Sequence, residues 1–532
     1  MVIRDWSSDV CSSDLIWEPA RFDWAIHLAQ AYFLTKEERY ADYFWKKYSE
    51  FVEQNPLNQG QNWESAQEVA PSIISWTITL NFLQSSSVSS PEEITHLCTN
   101  IADHADRILP TLAYAKAQNN NHLISEAVGL YTAGTFLKNH PNALKWRTVG
   151  KKWFESAIQR QIDDNGEYIQ HSTNYHRMML TLSIWMEKLV TQNEDQLSNR
   201  TMEHLRSSVV WLWNILDQQS GCAPNLGHND GSLILPFSTS TYADYRPIIQ
   251  AASILFTGRK ILEPGAYDDL ANWLAIAETD RDTTSTQIKH DCPRIGDDLS
   301  WGTLRAMRYR SRPAHADQLH VDLWYQGVNV LLDAGTYQYN AAPPYDNGFA
   351  GTLPHNTITF MEQDQMTRAS RFLWLDWAQA HISLHDADHM IAAHDGYLQL
   401  GAVHQRELMR ISPSHWRVID HLHKFKSTSD QCSIALHWLV PDWKFQCQDD
   451  QVVLDAPFGT ATIAIHMPNN KEKKVADLAI YRAGRSHTPI EQENPLLGWY
   501  SPSYGVKQPA LSILYALTDK LPLEIITEIN FS

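Results

Sequence analysis

Hydrophobic positions along this chain follow two different periods, and the change falls near residue 280. Before it, apolar residues recur at i, i+3, i+4 and i+7 in stretches that short polar breaks separate, which predicts a series of amphipathic helices. Ser90-Pro91, a cap residue followed by a first-turn proline, marks the start of one of them. Sequential helices joined by short breaks form antiparallel pairs that can close into a ring or bundle. The predicted helices span residues 21–34, 38–52, 64–83, 92–109, 122–137, 143–161, 175–190, 201–216, 243–256 and 267–277.

Beyond a polar, turn-rich segment at 280–291, the period becomes two. Short stretches rich in Val, Ile, Trp and Thr follow one another, separated by Gly, Asn, Asp or Pro, as is typical of β-strands. Many short strands without intervening helices predict an antiparallel β-sandwich. The predicted strands span residues 304–309, 320–326, 328–333, 356–361, 416–421, 434–439 and 460–466.

The chain length predicts two domains, because 532 residues exceed what one hydrophobic core usually supports. We expect a helical domain at 16–285 and a β domain at 286–532. Residues 1–15 resemble a translated sequencing adapter (DWSSDVCSSDL), and a disordered polar tail is the alternative. They lack the positive and apolar regions of a signal peptide. We therefore expect the native amino terminus to be missing.

The acidic balance limits the partners of this protein. Its 43 Lys and Arg against 61 Asp and Glu give a net charge of −18, which argues against nucleic acid as a partner. A heavily sulfated polymer is also disfavoured, although a local basic cleft could bind a carboxylated one. No run approaches the roughly 18–20 apolar residues of a transmembrane helix. The six cysteines are scattered without any CxxC, so we predict neither a disulfide framework nor a cysteine-based zinc site.

Two histidines and one aspartate in the β half form a candidate metal site. His315 is predicted to open a strand, and Asp333 to end the next strand after a turn at Gln326-Gly327. His355 is predicted to start a further strand. Two imidazoles and one carboxylate are a common zinc set that leaves a fourth position for water or substrate. Histidines at strand ends are also frequently only hydrogen-bonded, so that alternative stays open.

A second polar group lies in the helical half, at predicted helix starts. Three asparagines, the last of them Asn121, directly precede His122, so one could cap a helix with the imidazole in its first turn. Tyr175 and Arg177 enter another helix together, and such an Arg can hold a carboxylate by paired hydrogen bonds. A Gly-rich turn around His228 could line the same opening. Ordinary capping, packing and turn roles are the alternatives. A chain that carries polar groups on both halves could hold a large substrate between two domains.

Six sequence runs, taken in order from about residue 16 to beyond 360, are more specific than any single residue. They read IWEPARFDW, NWESAQEVA, NNNHLISEAVGLY, HSTNYHRMMLTL, HADQLHVDLWYQGVNVLLDAGTYQY and PHNTITF. Together they resemble the heparinase II/III-type polysaccharide lyases, which include alginate and oligoalginate lyases. The resemblance implies an α+β multidomain fold, an incomplete α/α toroid followed by an antiparallel β-sandwich. It also implies a bacterial enzyme that cleaves a uronate-containing, anionic polysaccharide by β-elimination.

The resemblance also implies roles for the candidate residues. Asn121 would neutralise the substrate carboxylate, His122 would assist it or act as base, and Tyr175 would transfer the proton. Abstraction of the C5 proton leaves charge on the carboxylate, so hydrogen-bond donors must concentrate there. The metal, zinc being the usual ion, would mainly organise nearby loops. Its ligands would be His315, Asp333 and His355, and the candidates for substrate binding are Arg177, His228 and Arg312.

Two positions depart from the family pattern. Pro313 stands where these lyases commonly carry a catalytic His in an HxHxD run, and losing one such donor typically costs roughly 10²–10³ in rate. Arg310, Arg312 and His320 are the candidates to take its place. Pro71 lies where the helix is expected to continue. Both suggest a divergent branch that makes or trims bacterial surface polysaccharide, which we expect in the periplasm or cell envelope.

Two other functions stay open on the sequence alone. A glycoside hydrolase on a similar helical toroid needs two carboxylates in its cleft. A polysaccharide-binding or biosynthesis-associated protein without catalysis would also explain Pro313. The carboxylates available to a hydrolase are Glu18, Glu64, Glu68, Glu126 and Asp230.

Overall fold

The computed structural model describes residues 19–278, 294–426, 431–448, 450–468, 477–488 and 493–532. The chain divides into two compact units, which we call the helical unit and the β unit. The helical unit comprises residues up to 169, 175–213 and 232–290, and the β unit comprises 170–174, 214–231 and 291–532. The adapter-like residues 1–15, the predicted linker at 280–291 and the predicted boundary at 285 lie outside the described residues.

Helices dominate the first half of the described chain, and most of them lie within a few residues of their predicted positions. Their bounds are α1 (Asp23–Thr35), α2 (Arg39–Gln54), α3 (Ala66–Leu83), α4 (Pro91–Gln118), α5 (Asn121–Phe136), α6 (Ala143–Gln161), α7 (Thr173–Gln192), α8 (Asn199–Asn214), α9 (Arg246–Thr257) and α10 (Asp269–Trp273).

The helices pack as an inner and an outer layer. α1 contacts α3, and α3 contacts α5, while α2, α4 and α6 each pack on the inner helix that they follow or precede in the chain. α3 is buried on nearly every face, as expected of a helix enclosed by others. Gly129 of α5 permits a close approach to α3, because a Cβ there would lie 2.9 Å from Cβ of Ala70. This layering of paired helices confirms the predicted α/α toroid. The antiparallel sheets of the β unit complete the predicted fold class.

A capping residue predicted a helix start correctly, whereas prolines inside the helical stretches did not mark helix ends. Ser90 caps α4 with a reciprocal capping box to Glu93, as its sequence predicts. α4 then runs on to Gln118 through Pro110 instead of ending near residue 109, and α3 likewise continues through Pro71. A proline removes one hydrogen bond from a helix without necessarily ending it when tertiary packing holds both sides. None of the described helices is both long and apolar enough to cross a bilayer.

The β unit contains antiparallel sheets. The larger two have the strand orders β13-β14-β15-β20-β11-β10-β9-β8 and β17-β16-β19-β12-β5, with β18 added beside β19. Smaller sheets are β1-β2-β3-β4 and β6-β7. The strands are β1 (Arg294–Gly296), β2 (Ser300–Leu304), β3 (Val321–Tyr325), β4 (Val328–Leu331), β5 (Ile358–Phe360), β6 (Thr367–Ser370), β7 (Leu373–Leu375), β8 (Ala380–His385), β9 (His389–His394), β10 (Ala402–Ser412), β11 (His415–Lys424), β12 (Cys432–Pro441), β13 (Lys444–Gln448), β14 (Gln451–Ala456), β15 (Gly459–His466), β16 (Asp477–Arg482), β17 (Arg485–Ser486), β18 (Trp499–Ser503), β19 (Val506–Asp519) and β20 (Leu523–Phe531).

One hydrophobic core lies between the two large sheets. Trp416 of β11 and Trp438 of β12, from different sheets, both belong to this core and are fully buried. Along β10 and β11 buried and partly exposed residues alternate, because successive side chains of a strand point to opposite faces. The predicted antiparallel β-sandwich is thereby confirmed.

The strands nearest the candidate metal site begin later than predicted. The β3–β4 hairpin turns at Gln326 and Gly327, both at positive φ, as predicted. His315 and His355, however, lie in irregular segments before β3 and β5, not at strand starts. Their neighbours bond to other loops instead of a ladder, for instance Ala316 N–H to the Ala350 carbonyl at 2.8 Å. The predicted strand 304–309 is wrong beyond Leu304, where β2 ends.

Candidate metal centre and catalytic residues

Three irregular segments of the β unit bring His315, Asp333 and His355 together. His315 precedes β3, Asp333 follows the end of β4 by two residues, and His355 precedes β5. One ligand atom from each lies within 4.8 Å of the others, and all three side chains are essentially inaccessible to solvent. The hairpin that the sequence predicts therefore does place the first two residues close together.

The polar atoms of this triad fit a bound cation. Nδ1 of His315, Oδ2 of Asp333 and both ring nitrogens of His355 have no hydrogen-bond partner among the described residues. His355 Nδ1 lies 3.4 Å from Asp333 Oδ2, close to the roughly 3.3 Å between ligand atoms of a tetrahedral zinc ion with bonds of about 2.0–2.1 Å. Buried polar atoms without partners are costly, so a proton or a metal ion must bridge them.

A neighbouring hydroxyl selects the metal-binding nitrogen of His315. Thr336 Oγ1 donates to the Gly227 carbonyl at 3.2 Å and lies 3.4 Å from Nε2 of His315. Because its only proton is already donated, the hydroxyl oxygen accepts the proton of Nε2. The lone pair of Nδ1 is then left facing the triad. On the carboxylate, Oδ1 of Asp333 accepts the Gly335 N–H at 2.8 Å, which leaves Oδ2 for the ion. Such supporting hydrogen bonds are typical of metal sites.

Burial and mutual charge shift the pKa values of the triad in opposite directions. Burial lowers the pKa of His315 well below its ordinary value, and the neighbouring imidazoles of His355 and His228 lower it further. Burial alone would raise the pKa of Asp333, but the charges of His355 and His320 hold it well below its usual range. Burial opposes the protonation of His355, yet the Asp333 carboxylate raises its pKa overall. The site therefore favours an ionised carboxylate beside a neutral His315, as a metal requires.

His320 and Asp322 extend this centre behind Asp333. His320 Nε2 lies 3.6 Å from Oδ2 of Asp333 and 3.9 Å from Oδ2 of Asp322, and all three side chains are buried. Oδ1 of Asp322 accepts hydrogen bonds from Trp324 Nε1 and Asn329 Nδ2 at 2.6 and 2.7 Å. His320 is therefore enclosed between two carboxylates rather than available to replace the missing catalytic His.

Asn356 ties together the segments that carry the ligands. Its Nδ2 donates to the carbonyls of Val321 and Leu332 at 2.8 and 2.9 Å, and its Oδ1 accepts the N–H of Leu439 at 2.6 Å. Leu332 directly precedes the ligand Asp333, and Asn356 itself follows the ligand His355. A single buried amide thus fixes the spacing of two ligand segments.

A buried ion pair from the eight-stranded sheet supports the same loops. Arg406 binds Asp420 through Nε and Nη2 at 2.7 and 2.9 Å, and its Nη1 donates to the carbonyls of Leu319 and Asn356. Burial would raise the pKa of Asp420, but the Arg406 charge lowers it to about 2. His404 adds a hydrogen bond to the same carboxylate at 2.6 Å.

His228 and Arg312 are both predicted to bind substrate. They lie in the β unit and differ in solvent exposure. The His228 ring lies 5.4 Å from the His315 ring and 5.3 Å from that of Phe372. Asn347 Nδ2 approaches its Nε2 at 3.3 Å. Burial, aided by the charges of Arg312 and Arg368, lowers the pKa of His228 to about 3. Arg312 is exposed, whereas the adjacent Pro313 is buried.

The helical unit brings the other predicted residues to neighbouring helix starts. Asn120 caps α5 by accepting the N–H of His122, so Asn121 and His122 form the first turn, as the sequence predicts. Asn121 Nδ2 lies 3.6 Å from Sδ of Met178, one turn after Tyr175 on α7. Asn121 is buried, whereas His122 and Tyr175 are partly exposed. The first turn of α5 therefore adjoins the second turn of α7, directly after the turn that carries Tyr175.

Arg177 points into the protein. Its side chain is buried, donates to the Tyr242 carbonyl, and stacks at 4.1 and 4.7 Å on the rings of Tyr242 and Tyr245. A guanidinium enclosed in this way stabilises the packing of α7 against the 242–245 segment. This placement gives no support to the predicted role of Arg177 in substrate binding.

The carboxylates available to a glycoside hydrolase are poorly placed. Glu126 is 1% exposed, and burial raises its pKa to about 8. Glu68 is buried against Arg21, with Oε2 2.8 Å from Nε. Asp230 accepts a hydrogen bond from Asn174 at 3.0 Å. Glu64 is exposed, and Glu18 lies outside the described residues.

Several residues of the centre escaped the sequence analysis. Asp322 and Asn356 lie within two of the family-like runs, HADQLHVDLWYQGVNVLLDAGTYQY and PHNTITF, but neither they nor Arg406 were predicted as site residues. The two-residue spacing of His320 and Asp322, which puts them on one face of an extended segment, was a further available signal. The backbone partners of Asn356 and Arg406 are 24 to 87 residues away along the chain, beyond the reach of any local pattern.

Comparison with known proteins gives consistent matches in both halves. The model for the Heparinase II/III N-terminus matches residues 4–221, and the Heparinase II/III-like, C-terminal model matches residues 304–527. A heparin-sulfate lyase of Bacteroides stercoris is 21% identical over 474 residues, or 82% of this chain and 66% of the relative. A heparin-sulfate lyase of Bacteroides thetaiotaomicron is 30% identical over 159 residues, or 29% of this chain and 22% of the relative.

Solved structures extend the likeness to the fold. A crystal structure of heparinase III has a TM-score of 0.67 at 16% identity, covering 96% of this chain and 76% of that one. At this identity the likeness shows the fold alone. The chain spans just under two thirds of the first curated relative and a smaller share of the second. Because the amino-terminal and carboxy-terminal models of one family match in order over most of its length, the chain belongs to the heparinase II/III-like family.

Proposed function

We propose that this protein is a polysaccharide lyase that cleaves a uronate-containing polysaccharide by β-elimination. The observation that supports the proposal is the contact between Asn121, in the first turn of α5, and Met178, which lies one turn after Tyr175 on α7. An amide, an imidazole and a phenol at adjoining helix starts are the groups that this reaction needs. Family membership and the names of the relatives support the same reaction class.

The reaction follows from the chemistry of these side chains. Tyr175 acts as the phenolate and takes the C5 proton of the uronate, the C4–O bond breaks, and a C4–C5 double bond forms. The phenol then returns its proton to the leaving glycosidic oxygen, which becomes a hydroxyl group. Asn121 donates to the uronate carboxylate, where the negative charge of the transition state develops, and His122 assists it. No water molecule is consumed, which distinguishes this reaction from hydrolysis.

The metal centre has a structural role in this proposal. We propose a divalent cation, with zinc preferred, held by His315, Asp333 and His355, because the donor set of two imidazoles and one carboxylate suits it. When bound, the ion would cross-link three irregular segments that share few ladder hydrogen bonds. We also propose a bacterial protein that acts in the periplasm or cell envelope, where extracellular polysaccharides are met.

The experiment incubates the protein with separate uronate polymers (alginate, heparan sulfate, hyaluronan and bacterial exopolysaccharides) and follows the ultraviolet absorbance of the new double bond. We expect absorbance to rise with at least one polymer and to vanish in Tyr175→Phe, which lacks the proton-transferring group. Tyr43→Phe, at an exposed position of α2, is the matched control and should keep full activity.

Other outcomes would assign another function. Reducing ends that appear without absorbance would indicate hydrolysis. Polymer retention without any turnover would indicate a binding protein, with Pro313 as the reason for lost catalysis. Full activity in Tyr175→Phe would remove Tyr175 from the mechanism.

A further inference from the structure

Three exposed arginines lie within five residues of the segment that leads to the candidate metal centre. Arg308, Arg310 and Arg312 are exposed, while Tyr309 between the first two is buried. Arg308 and Arg310 therefore flank a buried side chain, and Arg312 follows after a bend at Arg310 and Ser311. His315 follows the last arginine by three residues.

The segment is anchored at both ends, so the direction of these side chains is set by the fold. The N–H of Met307 donates to Gln318 Oε1 at 2.8 Å, and its carbonyl accepts the N–H of Ala380 at 2.9 Å. The Tyr309 hydroxyl donates to Asp317 at 3.1 Å. Beyond the arginines, Trp374 Nε1 donates to the Ala314 carbonyl at 3.1 Å. The arginines therefore extend from a fixed backbone and not from a loose loop.

No acidic partner offsets these three charges within the described part of the chain, where none of the three makes a hydrogen bond or an ion pair. Other arginines do have carboxylate partners, for example Arg482 with Asp442 at 2.6 Å and Arg417 with Glu528 at 2.7 Å. In a chain of net charge −18, three neighbouring unpaired guanidinium groups are a local excess of positive charge. Like charges this close along the chain repel one another, and an anion bound beside them relieves that repulsion.

The arginine row ends beside the candidate centre. Arg312 precedes the metal-ligand candidate His315 by three residues, and Pro313 and Ala314 between them are buried. The ring of His228 in turn lies 5.4 Å from that of the metal-ligand candidate His315. A polymer bound along the arginines would therefore pass close to this centre.

We propose that Arg308, Arg310 and Arg312 form a binding row for successive anionic groups of the polysaccharide. This inference rests on the proposed function and adds a subsite for the carboxylates or sulfates of the polymer. Guanidinium groups hold such planar or tetrahedral anions by paired hydrogen bonds, which lysine cannot match. The row also reconciles an acidic protein with an acidic substrate, because binding needs only a local basic surface.

The test compares Arg308→Gln/Arg310→Gln with the matched control Arg160→Gln/Arg200→Gln, which removes the same charge from exposed helical positions. Equilibrium binding of alginate and of heparan sulfate is measured in a Tyr175→Phe background, and KM and kcat are measured without that change. We expect polymer affinity to fall about tenfold or more and KM to rise by a similar factor. The salt dependence of binding should weaken, and the control should show none of these changes.

Comparing the two polymers distinguishes sulfates from carboxylates as the groups that bind the arginines. A loss confined to heparan sulfate assigns the row to sulfates, and an equal loss on both polymers assigns it to carboxylates. Unchanged binding and KM in Arg308→Gln/Arg310→Gln overturn the row while leaving the lyase reaction intact. Binding that weakens without any lyase activity keeps the row and removes the proposed reaction. A protein that binds neither polymer overturns the row.

Discussion

The main-chain N–H of Asn356 donates to Nδ1 of His320 at 3.0 Å, and this contact fixes which ring nitrogen of His320 carries the proton. A backbone N–H can only donate, so Nδ1 must accept and the proton of the neutral ring lies on Nε2. Nε2 faces Asp333 Oδ2 at 3.6 Å. The Nε2–H group of His320 therefore faces the carboxylate of Asp333 from just beyond hydrogen-bond distance, and we expect it to orient that carboxylate electrostatically.

Replacing His320 should weaken metal binding without abolishing it. We expect His320→Ala to lower zinc affinity about 10- to 100-fold, the usual effect of losing a group that orients a ligand. His315→Ala, which removes a ligand, should lose stoichiometric zinc and melt at a lower temperature. Chelator competition and metal analysis measure both effects. His381→Ala, at an exposed position of β8, is the control. Equal affinity in His320→Ala and the unmodified protein would contradict the orienting role.

Breaking the buried pair between Arg406 and Asp420 should destabilise the β unit strongly. Asp420→Asn leaves a buried guanidinium without its counter-charge, which typically costs about 3–5 kcal/mol. Arg482→Met breaks the surface pair with Asp442, whose side chains are 46% and 28% exposed, and should cost less than about 1 kcal/mol. Denaturant unfolding followed by tryptophan fluorescence gives both values. Similar costs for the two variants would mean that burial does not govern the strength of these pairs.

The buried carboxyl of Glu126 should make stability fall as pH rises. Its pKa is about 8 in the folded protein because of burial and 4.5 when unfolded, so the folded state keeps its proton between these values. Its contribution is fully present below pH 4.5 and is lost towards pH 8, at up to about 1.4 kcal/mol per pH unit. We expect Glu126→Gln to gain stability relative to the unmodified protein between pH 5 and pH 8.

Denaturant unfolding at several pH values measures this difference, with Glu64→Gln at an exposed position as the control. A constant difference between Glu126→Gln and the unmodified protein across this range would show that Glu126 is not protonated in the folded state. Loss of catalytic activity in Glu126→Gln at unchanged stability would instead support the hydrolase hypothesis.

The residues of the metal triad could be named from the sequence, but their local structure could not. His315, Asp333 and His355 stand out by type, and the turn at Gln326-Gly327 predicts that the first two meet. The sequence placed His315 and His355 at strand starts, whereas tertiary hydrogen bonds hold them in irregular segments. The local sequence pattern cannot distinguish a strand start from such an irregular segment, because apolar and polar residues alternate in both.

The sequence by itself determined the fold class, because helical and strand periods reflect how each segment buries its apolar side chains. It also determined helix starts such as Ser90, where a cap is satisfied within four residues. Only the tertiary structure decided the surroundings of the centre. Asn356 and Arg406 bind partners as far as 87 residues away along the chain. Arg177 points inward because it binds the carbonyl of Tyr242 and stacks on the rings of Tyr242 and Tyr245. Hydrogen bonds and burial depend on which distant segments the fold brings together, and residue type alone carries no record of that.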